Sequence, residues 1–144
     1  MTGELAIAVH AIVYLNHMQQ TLSSETLAEN VCTNPARVRK IMSRLKRAGL
    51  IETKEGADGG YRFKMDPASI TLLEVLEALG TPLISVSWKS GDPHKDCMIA
   101  SGMAGVMDGI YTELDGCCRK QLAKITILDI DRRLGRQGLK SKSL

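Results

Sequence analysis

The sequence predicts a mainly α-helical fold carrying one small β-hairpin. Apolar residues recur at helical spacing over most of the chain, a basic helix opens at Asn34-Pro35 and closes at Gly49, and two short alternating runs flank a glycine-rich stretch at 55–60. The 144 residues suit one domain of ordinary size, and with 44% hydrophobic residues a core can form. Aromatics reach only 3%, so that core is built from Leu, Ile, Val, Ala and Met. No apolar run approaches the roughly 20 residues that cross a bilayer. Residues 5–15 are apolar but short, follow Glu4 and lack a basic leader, so they read as a buried helix. The expectation is a soluble, cytoplasmic chain with no membrane partner and with its cysteines as thiols.

The first helix is expected over 4–19, where Leu5, Ala8, Val9, Ile12 and Leu15 make one apolar face and Ile7, Ala11, Tyr14 and Met18 a second. Two faces imply cover from both a core and a partner subunit. Ser23 and Ser24 can cap a helix of about eight residues with Leu27, Ala28 and Val31 inward. Cys32-Thr33-Asn34 is a turn. Asn34 then caps a third helix with proline at its first position, running to about Ala48 before Gly49 ends it. Val38, Ile41, Met42 and Leu45 form its apolar stripe, and Arg37, Lys40, Arg44 and Arg47 line the opposite side. A hairpin follows, in which Tyr61, Phe63 and Met65 are expected to face inward and Arg62 and Lys64 outward.

Helix, turn, helix and basic hairpin is the order of a winged helix-turn-helix. Charge agrees with it: between Thr33 and Lys64 nine Lys and Arg oppose three acids, in a chain whose net charge is only +3. A basic block inside a structured segment points to a polyanionic partner. A fourth helix is expected over 70–79, an irregular stretch over 80–97 and a long helix over 98–122. Gly102, Gly105 and Gly109 fall on one side of that long helix, each costing about 1 kcal/mol against Ala. Close approach of another helix would explain them, and two apolar seams with little left in the chain to cover them suggest a dimer. A short helix at 125–134 and a mobile basic tail at 135–144 complete the chain. The division expected is 1–80 winged helix-turn-helix, 81–97 sensor or linker loop, 98–134 dimerisation and C-terminal helices, and 135–144 tail.

With these elements placed, the sequence resembles the Rrf2 family of bacterial transcription regulators. The matches are Ser24-Glu25-Thr26-Leu27-Ala28-Glu29, the run from Val38 to Ile51, Gly56-Ala57-Asp58-Gly59-Gly60-Tyr61, Ile70-Thr71-Leu72-Leu73-Glu74-Val75 and Ile125-Thr126-Ile127-Leu128-Asp129-Ile130. The resemblance implies a homodimer joined through the long helix and bound to a palindromic operator in double-stranded DNA, with the third helix in the major groove and the wing near the minor groove or backbone. The residues agree with that placement. Thr33, Asn34, Ala36 and Arg37 are best set to reach base edges, arginine being the commonest bidentate reader of guanine. Lys40, Ser43, Arg44, Arg47, Lys54 and Arg62, with Gly59, Gly60 and Tyr61 of the wing, are expected on the phosphate backbone. The expected function is a regulator of transcription acting as a repressor.

Several relatives in this family carry an iron–sulfur cluster on three closely spaced cysteines ahead of the dimer helix. Here only Cys97 stands in that stretch, with Asp92, His94 and Asp96 nearby and no Cys-x-x-Cys anywhere. A cluster needs four ligands, mostly thiolate, and zinc asks for a comparable set. No cofactor or metal is therefore expected. Cys117 and Cys118 fall on apolar seams and read as buried thiols. Cys32, close to the start of the third helix, and Cys97, in a polar loop, are the candidate redox pair, joined between subunits of the family's dimer. The alternative is sensing of a small molecule, or of a metal or cluster, in the loop region. His10 and His17, seven apart, read as surface or interface histidines, and Trp88 as a core plug. An enzyme is not indicated: no nucleophile–base motif appears, and the one glycine cluster is on the wing.

Overall fold

The computed structural model describes the backbone of residues 3–142. It runs α1 (Glu4–Met18), α2 (Ser24–Val31), α3 (Pro35–Arg47), β1 (Glu52–Lys54), β2 (Gly60–Arg62), α4 (Leu72–Leu79), α5 (Met98–Leu122) and α6 (Ile127–Lys142). The starts of α2, α3 and α4 have the capping chemistry that the sequence carries, while α1 and α5 begin without a side-chain cap. Ser23 accepts from Thr26 N–H ahead of α2 and Asn34 from Arg37 N–H ahead of α3. Thr71 and Glu74 form a reciprocal capping box at α4. Gly49, at φ 78°, turns the chain out of α3 in the left-handed region that glycine tolerates.

The core lies among α1, α2, α3 and α4. Ala8, Ala11, Ile12 and Leu15 of α1 meet Leu27, Val38, Ile41, Met42, Leu45 and Val75 there. Leu50, Ile51 and Phe63 extend the core beneath the hairpin. Met65 does not follow Phe63 inward: it is 42% exposed, because pairing ends at Arg62 and the alternation ends with it.

The two Ile-Thr motifs form a matched pair. Thr126 and Asp129 repeat at α6 the reciprocal capping of Thr71 and Glu74 at α4. The two helix starts then clasp each other through Leu72 N–H to Ile125 O at 2.8 Å and Ile127 N–H to Ile70 O at 3.0 Å. Ile127 is fully buried in the common core, and α6 packs along α1. The C-terminal helix is thus built onto the winged-helix unit. It also runs through Gly135 to Lys142, past the end at 134 and into the expected tail, of which residues 143–144 lie outside the described residues.

α5 is a different kind of helix. None of its 25 residues is buried. Met98, Ile99, Met103, Val106, Ile110 and Leu114 are exposed, and nothing lies within 4 Å of a side chain placed at Gly102, Gly105 or Gly109. Cys117 is exposed and Cys118 half-buried, so neither is the buried thiol expected. The linker before α5 is fastened along it. Leu83 and Ile84 N–H both donate to Asp115 Oδ1 at 3.0 Å, Lys89 pairs with Asp108 at 2.7 Å, and Asp92 N–H donates to Ala100 O at 2.9 Å. Trp88, expected inside, is 77% exposed on this linker, which has no core of its own to receive an indole.

Candidate nucleic-acid interface

α3 presents its polar side outward because its apolar stripe is wholly used. Val38, Ile41, Met42 and Leu45 are each at most 1% exposed. On the other side Ala36, Arg37, Lys40, Ser43 and Arg47 are all exposed, and Thr33 is half-buried at the turn. Arg37, Lys40 and Arg47 have no carboxylate within ion-pair distance among the described residues. Three cations lacking counter-charges along one helix face leave a positive potential for an anionic partner. Asn34 spends its side-chain oxygen on Arg37 N–H at 2.7 Å, so its amide N–H2 is the part left to reach outward.

Arg44 has a different position from its neighbours. Its guanidinium donates to Glu4 Oε2 at 2.8 Å, with both side chains about a quarter to a third exposed. The pair ties the first turn of α1 to the last turns of α3, so Arg44 helps hold α3 in place. Forty residues separate the partners, and no local spacing in the sequence links them. Arg39, on the flank, is likewise engaged, with Glu25 at 3.6 Å and Ser24 Oγ at 3.3 Å.

The wing is anchored by a third piece of backbone. Leu22 and Tyr61 exchange two hydrogen bonds, 3.0 and 2.8 Å, adding the α1–α2 connection to the edge of the hairpin. This contact explains Gly60, whose φ is 154°: a side chain there would come within 2.2 Å of Leu22 O. A side chain at Gly59 would meet Lys54 O at 2.5 Å. Both glycines therefore have a folding role, since the turn closes only without a Cβ at either position. The strut through Leu22 was missed in the sequence, because a main-chain bridge leaves no side-chain signature. Tyr61 packs its ring against the core, and burial pushes its phenol pKa up. Lys54 is exposed beside the loop and Arg62 at the far end of the hairpin, opposite Glu52, so the wing carries a cation at each end of its ladder. α3 and the wing are thus held by one core and offer Arg37, Lys40, Arg47, Lys54 and Arg62 outward.

The cysteines sit apart from this surface in chemistry. Cys32 caps the end of α2 at φ 65°, and its thiol is directed at the carbonyl oxygens of Glu29 and Asn30, at 3.6 and 3.9 Å. It therefore faces the carbonyl end of α2, not the N–H end of α3 on which its expected reactivity rested. Cys97 is exposed at the first position before α5, where the N–H groups of Ala100 and then Ile99 hold its thiol below the ordinary range. An iron–sulfur cluster does not fit here. Cys97 is the one thiol in the linker, the Asp92 carboxylate is occupied by His94 N–H at 2.9 Å, and no group of three His, Cys, Asp or Glu side chains among the described residues could hold a metal ion. No helix among the described residues is long and apolar enough to cross a membrane.

The comparisons with known proteins agree with this geometry. The family model described as "Rrf2: Iron-dependent Transcriptional regulator" matches residues 1–133. YwnA of Bacillus subtilis (strain 168), named as a candidate HTH-type transcriptional regulator, is 31% identical over 136 residues, covering 93% of this chain and 98% of YwnA. A crystal structure titled as that of a candidate transcriptional regulator from Lactobacillus plantarum superposes with a TM-score of 0.82 at 25% identity, over 99% of this chain and 98% of that one. The structure of T. potens IscR shares the fold, with a TM-score of 0.67 at 17% identity over 93% of this chain and 87% of IscR. A family match over nearly the whole chain, on a winged helix with an outward basic face, makes this protein a member of the Rrf2 family of transcriptional regulators and not an enzyme.

Proposed function

We propose that the protein is a homodimeric repressor that binds a palindromic operator, with α3 in the major groove and the wing against the adjacent backbone or minor groove. The observation that carries the reading is the set of exposed cations on α3 without acidic partners, Arg37, Lys40 and Arg47, on a helix whose other face is fully committed to the core. Thr33, Asn34, Ala36 and Arg37 at the start of α3 read base edges; Lys40, Ser43, Arg47, Lys54 and Arg62 hold phosphates. Arg44 contributes by fixing α3 through Glu4. The dimer reading rests on α5, whose apolar stripe and open glycine side have no cover among the described residues. Two such helices pack closely when glycines allow their backbones to approach.

Electrophoretic mobility shift over a salt series tests the DNA reading. Affinity for operator duplex falls steeply with salt, with a slope of about 0.9 per phosphate neutralised. A flat response overturns it. Sedimentation equilibrium tests the dimer: the wild type has twice the chain mass, and Val106→Asp with Ile110→Asp returns it to one.

A second reading concerns the signal, favoured by the exposure of both Cys32 and Cys97. Hypochlorite takes two electrons and two protons from Cys97 of one protomer and Cys32 of the other, forming one disulfide and releasing chloride and water. Non-reducing gels check this pairing: the covalent dimer is lost in both Cys32→Ser and Cys97→Ser, and its survival in either removes the pair.

A further inference from the structure

On the side of α1 away from α3 lies an open groove of about 710 Å³, closed laterally by α6 and the end of α2. Its size suits a drug-sized organic molecule. Val9 and Val13 of α1 and Ile130 and Leu134 of α6 make apolar walls, with the ring of Tyr14 beside them. Among the described residues the lining holds one carboxylate, Asp131, together with His10 and His17; Arg132 and Arg133, neighbours of Asp131 in sequence, are exposed and do not line it.

The polar end has a definite sign. His17 and Asn30 line the groove from the last turns of α1 and α2, the ends where helix carbonyls concentrate partial negative charge. His10 is held by Asn30 Oδ1 at 2.7 Å, which leaves the histidine in the wall as a donor to that amide. Apolar walls, an aromatic face, one carboxylate and two carbonyl-rich helix ends together reject an anion and favour a charge-diffuse cation. We infer that the groove between α1 and α6 is a binding site for hydrophobic organic cations, with Asp131 as the counter-charge and Tyr14 as the stacking face. A bound ligand bridges the winged-helix unit and the C-terminal helix, since α1 also packs on α3.

Binding is measured on the full chain without DNA, so that it stands apart from the operator reading. Rhodamine 6G followed by fluorescence anisotropy, and tetraphenylphosphonium followed by calorimetry, are the probes, with 1-anilinonaphthalene-8-sulfonate as the anionic control. The cations bind at one site per chain and compete with each other. Asp131→Asn weakens them about five- to tenfold, and Ala6→Trp, an exposed wall position on α1, blocks both while the circular dichroism melt is unchanged. Equal binding by Asp131→Asn, tighter binding of the sulfonate, or no cation binding because a second copy of the chain occupies the groove would each overturn the site.

Discussion

The winged-helix unit and α5 are made from similar residues and end in opposite conditions. In the unit, Ile12, Leu15, Leu27, Val38, Ile41, Met42, Leu45 and Val75 are all at most 1% exposed. In α5, six large apolar residues face outward and none of the 25 positions is buried. The difference teaches that apolar content does not decide burial; the availability of a second surface does. α1 to α4 supply surfaces to one another, whereas α5 is held to the chain mainly by polar clasps to its linker. One region is complete within a chain and the other is half of something.

Four measurements break or sharpen this contrast. The largest effect belongs to the complete region: Leu45→Ala leaves a cavity that α3 cannot collapse, costing about 2–5 kcal/mol in chemical denaturation, while Val106→Ala on α5 leaves the stability of the isolated chain within about 0.5 kcal/mol. Next is the outer face of α3. Arg37→Ala, Lys40→Ala and Arg47→Ala together lower duplex affinity by about a hundredfold and the salt slope by about 3, with an unchanged melt because none of the three has an ion-pair partner among the described residues. Gly60→Ala lies between, forcing Leu22 away from the wing at a cost of about 1–3 kcal/mol, read by thermal denaturation.

The smallest effect probes the polar clasp on α5. Ile84 N–H, then Arg119, hold the Asp115 carboxyl below its ordinary value of 3.8. A carboxyl lowered in the folded state contributes stability that is present above that ordinary value and lost as pH falls below it through the folded value. Asp115→Asn therefore lowers stability most at neutral pH and removes part of the acid-side slope below pH 3.8, so that the two melting curves converge in acid.

The sequence made the helices legible wherever local chemistry marks them. Asn34-Pro35 and Ser23 start helices, and the spacing of Val38, Ile41, Met42 and Leu45 identifies the inward face of α3. It could not show what long-range contacts do to individual residues. Arg44 looks the same as Arg47 in the sequence, and only the fold brings Glu4 to it. Cys32 stands next to α3 in sequence yet belongs, through its left-handed backbone, to the carbonyl end of α2. The inward placement given to Met65, Trp88, Cys117 and Cys118 failed for a common reason: an apolar pattern reports a preference for burial and says nothing about whether a neighbour exists. The continuation of α6 beyond Leu134 was hidden by Gly135 and Gly138, which lower helix propensity and read as a stop.

The matched clasp between the starts of α4 and α6 has a mechanical meaning. Everything from the end of α4 to Ile125 is a long detour whose return is pinned two residues from where α4 begins. A detour gripped at its root behaves as a crank. The grip lies at Ile70–Leu72, and α4, which begins there, lies against α3, so one short stretch of backbone joins the root of the detour to the helix that carries the basic face.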